Sequence, residues 1–304
     1  MMQPASEAHG ATLADWVEHA ARRMDAAGLH FGHGTATARD EACWMASHRL
    51  GLRPDFAAGE FARRLTGSER QPLERLLDRR IETRKPLAYL IGEAWFAGLR
   101  FTVDERVLVP RSPIAELIVD GLDPWLDLNR PLRALEVGTG SGCIAAALAH
   151  YRPALSVDAV DISSGALELA AANVARLGLA GRVRTFSSDV YDGLGAARYD
   201  LIVSNPPYVP AASMADLPAE YGHEPGDALR AGRDGLDIVR RLIAGAEAHL
   251  NPGGCLVVEV GEARPQTETL LGRVEAVWLE FERGGEGVVL LDRDACRYWK
   301  ENRS

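Results

Sequence analysis

The stretch Ala134-Leu135-Glu136-Val137-Gly138-Thr139-Gly140-Ser141-Gly142 decides the fold. Its first residues are a short, largely apolar run that reads as a buried strand. Glycine then occupies alternate positions, and residues 143–150 continue as a helix. Without a Cβ, glycine lets a ligand approach the backbone closely. The dinucleotide fingerprint G-x-G-x-x-G needs glycine at position 143, which is Cys143. A P-loop needs a Lys-Ser/Thr pair, and none follows. The pattern G-x-G-x-G suits a smaller ligand without a pyrophosphate, and the candidate is S-adenosylmethionine.

Outward from this stretch, the chain beyond Ile114 alternates helix and strand. Strands are expected near 133–137, 156–160, 183–186, 201–204, 255–260, 276–280 and 288–291, with helices between the first five. That alternation implies a mostly parallel sheet with helices on both faces. The last two strands lie too close together for a full crossover helix, so one of them is expected to be antiparallel. Ligands bind such sheets at the carboxyl ends of the strands. The second strand ends at Val160-Asp161, about 20 residues past the glycine turn, where a carboxylate can accept both hydroxyls of a ribose. The third ends in Ser187-Ser188-Asp189-Val190. Asp189 can accept the adenine amino hydrogens, and Val190 can supply an apolar wall. Each aspartate alone also reads as a helix cap. In this order and at these spacings they argue for one site.

The fourth strand, ending Leu201-Ile202-Val203-Ser204, runs straight into Asn205-Pro206-Pro207-Tyr208. Two prolines, lacking N–H groups and fixed in φ, cannot continue a ladder. Asn205, preceding a proline, is pushed into the extended region. The result is a stiff turn holding an amide side chain, backbone carbonyls and an aromatic ring. That set suits a planar NH2 group, with acceptors for its hydrogens and a ring for its face.

The N-terminal part has a different texture. Leu13, Trp16, Val17, Ala20, Ala21 and Met24 recur at helical spacing, with Gly28 as a stop. A second helix is expected from Asp40 to Gly51, a third over 57–65 and a fourth from Glu69 towards Lys85-Pro86. Residues 1–10 read as a disordered tail. Around Gly98, residues 95–103 read as two short strands, and Ser112 and Pro113 start the next helix. The expected organisation is therefore a tail over 1–10, a helical domain over 11–92, a hairpin linker over 93–111 and the α/β domain over 112–304.

Composition sets outer bounds. The chain has 304 residues, 47% of them hydrophobic and 25% charged, as in ordinary globular proteins. No apolar stretch reaches the roughly 18 residues of a membrane span, and no secretory signal is visible. The four cysteines are far apart, which argues against zinc or a disulfide framework and for a reducing cytoplasm. A net charge of −9 argues against nucleic acid and is compatible with a basic protein partner. The N-terminal histidines show no metal-ligand spacing.

The glycine turn, the strand-end aspartates and Asn205-Pro206-Pro207-Tyr208 together resemble the class I (Rossmann-like) methyltransferases that modify amide and exocyclic nitrogens. With a helical N-terminal domain and a hairpin before them, they resemble the N(5)-glutamine protein methyltransferases. Val109-Pro110-Arg111-Ser112-Pro113-Ile114-Ala115-Glu116 is similar to the branch acting on large-subunit ribosomal protein L three, as are Gly28–Thr35, Glu220–Pro225, Asp234–Asp237 and Phe281–Gly285. The release-factor branch typically reads I-P-R-P-x-T-E at the first of these, and often has an aromatic residue in place of Val190. The resemblance implies a seven-stranded sheet and S-adenosylmethionine bound by Glu136, Gly138, Thr139, Gly140, Gly142, Asp161, Ile162, Asp189, Val190 and Asn205. It implies catalysis by Asn205, Pro206 and Tyr208, and substrate binding by these with Pro207 and Arg111. Asn205 Oδ1 and the Pro206 carbonyl would accept the two amide hydrogens while Tyr208 packs on the amide plane. No general base is assigned, and a groove-shaping role is expected of His223 and Glu224. The competing readings are methylation of the Gly-Gly-Gln loop of peptide release factors, an amino-methyltransferase of nucleic acid, and a non-enzymatic ribosome assembly factor.

Overall fold

The computed structural model describes residues 12–53, 56–122, 124–127, 130–282 and 284–302; the tail expected over 1–10 lies outside them. The chain forms two compact units. One is Met1–Gly92 with Pro218–His223, and the other is Glu93–Leu217 with Glu224–Ser304.

The first unit is helical. Thr12 caps α1 (Leu13–Ala26) by accepting from the Asp15 N–H, and the Asp15 carboxylate accepts from the Thr12 N–H in return. The buried face is Leu13, Trp16, Val17, Ala20, Ala21 and Met24, the set that helical spacing predicts. Helix α2 (Ala38–Leu50) begins before the expected Asp40, because Thr37 accepts from the Asp40 N–H and so becomes the cap. A 3-10 turn at Ala58–Ala62 takes the place of the helix expected over 57–65. Helix α3 (Gly67–Thr83) carries a capping box of Thr66 and Glu69, and ends where Arg84 turns left-handed at φ 55°. Past Pro86 a separate turn of helix, α4 (Leu87–Ile91), forms. A further 3-10 turn, Ala219–His223, belongs to this unit although it comes from far along the chain.

The second unit opens with a hairpin of β1 (Glu93–Phe96) and β2 (Leu99–Thr102). Its turn residues Ala97 and Gly98 both have positive φ, the geometry that suits two-residue hairpin loops. Helix α5 (Ile114–Asp120) starts one residue later than expected, with Pro113 as its cap, while Ser112 Oγ accepts from the Ile114 N–H. Then follow β3 (Leu132–Val137), α6 (Cys143–Tyr151), β4 (Leu155–Asp161), α7 (Ser164–Arg176), β5 (Val183–Ser187), β6 (Tyr199–Ser204), α8 (Asp237–His249), β7 (Leu250–Glu259), α9 (Arg264–Leu271), β8 (Val277–Leu279), β9 (Val288–Asp292) and α10 (Arg293–Asn302).

Strands β3 to β9 form one seven-stranded sheet in the order β5-β4-β3-β6-β7-β9-β8. Strand β9 runs antiparallel to both β7 and β8, and the remaining pairs are parallel. The helix expected between β5 and β6 does not form. Turns fill residues 188–198, and Gly193 packs so closely that a Cβ there would lie 2.7 Å from the Ser187 carbonyl oxygen. Apolar residues of the sheet, among them Leu135, Val160, Ile202 and Leu256, pack with Val239, Leu242 and Ile243 of α8 and Trp299 of α10. Because β4 and β6 flank β3 on opposite sides, the strand order reverses at β3, and a crevice opens at its carboxyl end. No helix among the described residues is long and apolar enough to cross a membrane.

Candidate active site

The crevice is a cavity of about 590 Å³, lined in part by Glu136, Gly138, Thr139, Gly140, Asp161 and Asn205. That size suits a nucleoside-sized ligand. The turn after β3 is left-handed at each glycine, with φ of 74° at Gly138, 53° at Gly140 and 78° at Gly142. A Cβ on Gly138 or Gly140 would meet no protein atom within 4 Å, and both residues line the cavity. They form a cradle that a side chain would fill. Gly142 has a different reason: a Cβ there would lie 3.1 Å from Ala170 Cβ on α7, and Gly142 does not line the cavity.

Glu136 sits beneath this turn, 1% exposed. Thr139 Oγ1 donates to its Oε2 at 2.5 Å and the Ala145 N–H at 3.0 Å. Burial pushes its carboxyl up to about 8, although these hydrogen bonds work in the opposite direction. Asp161, at the end of β4, accepts from the Gly140 N–H on Oδ2 (3.0 Å) and from the Ser163 N–H on Oδ1 (2.9 Å). Both oxygens keep acceptor capacity while the carboxylate is held rigidly beside the turn. Ile162, 67% exposed, lines the same cavity.

Asp189 and Val190 line the cavity from the end of β5. The Arg241 Nη1 donates to Asp189 Oδ1 at 2.8 Å, so one oxygen of that carboxylate is engaged from α8. Val190 is buried with φ at +53°, an unusual state for a β-branched residue. Ser188 helps to hold it there, donating to the Val190 carbonyl at 3.0 Å and accepting from the Gly193 N–H at 2.9 Å.

Asn205, Pro206 and Pro207 line the cavity beyond β6. Ser204 Oγ ties that strand end to the Val137 carbonyl at 2.7 Å. Among the described residues, neither the Asn205 side-chain amide nor the Pro206 carbonyl has a hydrogen-bond partner. Tyr208 is placed differently: it is not among the cavity-lining residues. Its ring lies on the backbone of Gly261, where a Cβ would come within 2.9 Å of two ring carbons. Gly235, at φ 83°, is pressed more closely still on the Tyr208 carbonyl, where a Cβ would lie 2.4 Å from the oxygen.

Arg111 lines the cavity, and its guanidinium is bound two-fold to the buried Glu224 at 2.6 and 2.7 Å. Glu224 also accepts from the Val109 N–H at 3.1 Å, so it fixes the linker wall. His223 belongs to the first unit, where Nε2 lies 3.0 Å from the Thr83 carbonyl.

Two residues near the site carry no local signal in the sequence. Asn173 of α7 is fully buried and joins the hairpin to the glycine turn: it accepts from the Thr102 N–H, and donates to the Thr102 and Ser141 carbonyls. Glu259, at the end of β7, accepts from Ser112 Oγ and is faced by the Tyr208 hydroxyl at 3.5 Å. Burial raises Glu259 to about 7, against the pull of Ser112 and Arg111. No group of metal-ligating side chains occurs among the described residues.

Residues 117–218 match the model of the methyltransferase small domain, and residues 15–92 match that of the PrmC N-terminal domain. A solved structure of the hMettl16 catalytic domain in complex with the MAT2A 3'UTR hairpin 6 has a TM-score of 0.51 over 72% of this chain and 82% of that one. At 16% identity the likeness is one of fold alone. Far closer in sequence is the ribosomal protein uL3 glutamine methyltransferase of Xylella fastidiosa (strain 9a5c), 48% identical over 97% of this chain and 94% of the relative. The protein of the same name from Bordetella pertussis is 47% identical over 93% and 95% respectively. Identity at this level across both units, with the methyltransferase crevice intact, shows that the chain is a methyltransferase and belongs to the family of ribosomal protein uL3 glutamine methyltransferases.

Proposed function

We propose that this enzyme transfers a methyl group from S-adenosylmethionine to the side-chain amide nitrogen of a glutamine in ribosomal protein uL3, in the cytoplasm. The observation that carries the reading is the free amide of Asn205 beside the free Pro206 carbonyl, on the wall of a cavity that also contains the glycine cradle. The names of the full-length relatives support uL3 as the substrate, and four unpaired cysteines accord with a reducing compartment.

The residues present fit the donor. Gly138 and Gly140 leave room for a ligand against the backbone, Asp161 offers acceptors to a ribose, and Asp189 keeps one oxygen for an adenine amino group. Ile162 and Val190 supply apolar walls. Carboxylates at Asp161 and Asp189 favour a cationic ligand. Bound there, S-adenosylmethionine supplies a methyl group on a readily leaving sulfonium.

The acceptor is the harder partner, because the lone pair of an amide nitrogen is delocalised. Asn205 Oδ1 and the Pro206 carbonyl accept its two hydrogens, orient the nitrogen and stabilise positive charge as it develops. Tyr208, which follows Pro207 but does not itself line the cavity, is assigned the face of the amide plane. Arg111, fixed by Glu224, shapes the wall over which the peptide enters. The proton is lost after transfer, and no side chain is needed as a base.

Mass spectrometry of ribosomal proteins from cells with and without this enzyme tests the reading. One added methyl group on a uL3 glutamine is expected only when the enzyme is present. Methylation of a release factor with uL3 unchanged would refute the assignment. In the purified enzyme, Asn205→Ala is expected to lower turnover by at least about a hundredfold while cofactor affinity changes little.

A further inference from the structure

We propose that Glu259 is a positioning residue for methyl transfer, acting through Tyr208, with Ser112 as its second anchor. This rests on the reading above, in which Tyr208 meets the acceptor amide. Glu259 ends β7, the strand beside the one that leads into the tetrapeptide. It is 5% exposed and has no part in the mechanism as derived. A buried carboxylate is costly unless its oxygens are bound. Here one oxygen takes the Ser112 hydroxyl and the other faces the Tyr208 hydroxyl at 3.5 Å. The same loop places the Gly261 backbone beneath the Tyr208 ring. The ring is therefore supported on its face by Gly261 and steered at its tip by Glu259, and both contacts constrain its angle.

The surroundings make this contact sensitive to pH. Glu259 is faced by Arg111 from the end of the linker, by Ser112 just after it and by Tyr208 from the loop after β6. Its neighbour on β9 is the apolar Val288, and Glu262 in the following turn is exposed. Burial raises Glu259 to about 7. When ionised it can accept from both hydroxyls. When protonated it gives up an acceptor, and the tyrosine is held less firmly.

The test uses the full chain with S-adenosylmethionine and uL3. Glu259→Gln is expected to lower kcat by about ten- to a hundredfold, to leave cofactor affinity unchanged by calorimetry, and to remove a rise in kcat near pH 7. Ser112→Ala is expected to move that rise to higher pH. Tyr208→Phe combined with Glu259→Gln is expected to be no slower than the slower single variant. Independent effects that multiply, or a pH rise that survives Glu259→Gln, would overturn the proposal. A second readout does not depend on the substrate. In protein labelled at the tyrosine ring carbons, the resonance assigned through Tyr208→Phe is expected to shift near pH 7 in the wild type and not in Glu259→Gln. If it does not shift in the wild type, the proposal falls whatever the substrate. If it shifts but uL3 is not methylated, the coupling stands and the uL3 reading falls.

Discussion

Gly140 and Gly142 look alike in the sequence and do different work. Both are left-handed, so alanine at either costs about 1–2 kcal/mol of backbone strain. At Gly142 the new methyl also presses on Ala170 at 3.1 Å, forcing α6 and α7 apart and adding about 1–3 kcal/mol. At Gly140 it meets no protein atom, in a residue that lines the cavity. Gly142→Ala is therefore expected to lose more thermal stability, and Gly140→Ala to lose more cofactor affinity. Calorimetric melting and a binding isotherm on both variants decide it; equal losses on both measures would contradict the division. The alternating glycines, Asp161, Asp189 and Asn205 were legible because each stands close to the carboxyl end of a strand in a chain that alternates strand and helix. The distinction between Gly140 and Gly142 was not, since it depends on a residue of the next helix. Nor was the Glu259 anchor, whose partners Tyr208 and Ser112 stand 51 and 147 residues away in the chain.

At the scale of the element, α1 and α2 show where periodicity succeeds and fails. The buried face of α1 is wholly apolar and repeats every three or four residues, so the pattern reveals it. The buried face of α2 includes Glu41 and Ser47. Glu41 is 2% exposed and is held by Arg80 of α3, itself 1% exposed, at 2.7 Å. Arg80 also donates to the His30 carbonyl at 3.0 Å and lies 3.6 Å from Glu220. Glu220 is fully buried in the 3-10 turn at Ala219–His223, where the His30 N–H and Arg84 also bind it. The partners are 39 residues apart for Arg80 and Glu41, and 190 for His30 and Glu220, distances that no helical repeat can report. Arg80→Ala would leave two carboxylates buried without their shared cation. The expected cost is about 3–5 kcal/mol in the first unit. It would appear as an early transition in urea that wild-type protein lacks. A loss below about 1 kcal/mol would mean that Arg80 behaves as a surface ion pair does.

At the scale of the whole molecule, two buried carboxyls set a slope of stability against pH. Glu136 stands at about 8 and Glu259 at about 7, both raised by burial. In the unfolded chain each would titrate near the ordinary glutamate value of about 4.3. Between that value and about 8 the folded protein thus binds more protons than the unfolded one, and stability falls as pH rises. The contribution is fully present below the unfolded value and is lost through pH 7 to 8. Each proton contributes at most about 1.4 kcal/mol per pH unit. Carboxylates with lowered values act in the opposite sense. Asp234 is held at about 2 by Arg240, and Asp104 is lowered by Arg106, so their contributions fade only as pH falls below about 4. Stability is therefore expected to peak near pH 5 and to decline towards pH 8. Glu136→Gln with Glu259→Gln would remove two of the groups that titrate in that window, so the decline should become shallower while the acid limb stays where it is. Urea midpoints at pH 5, 6.5 and 8 for wild type and the double variant test this. A wild-type stability that rises across the interval, or a slope that the double variant leaves unchanged, would overturn this assignment.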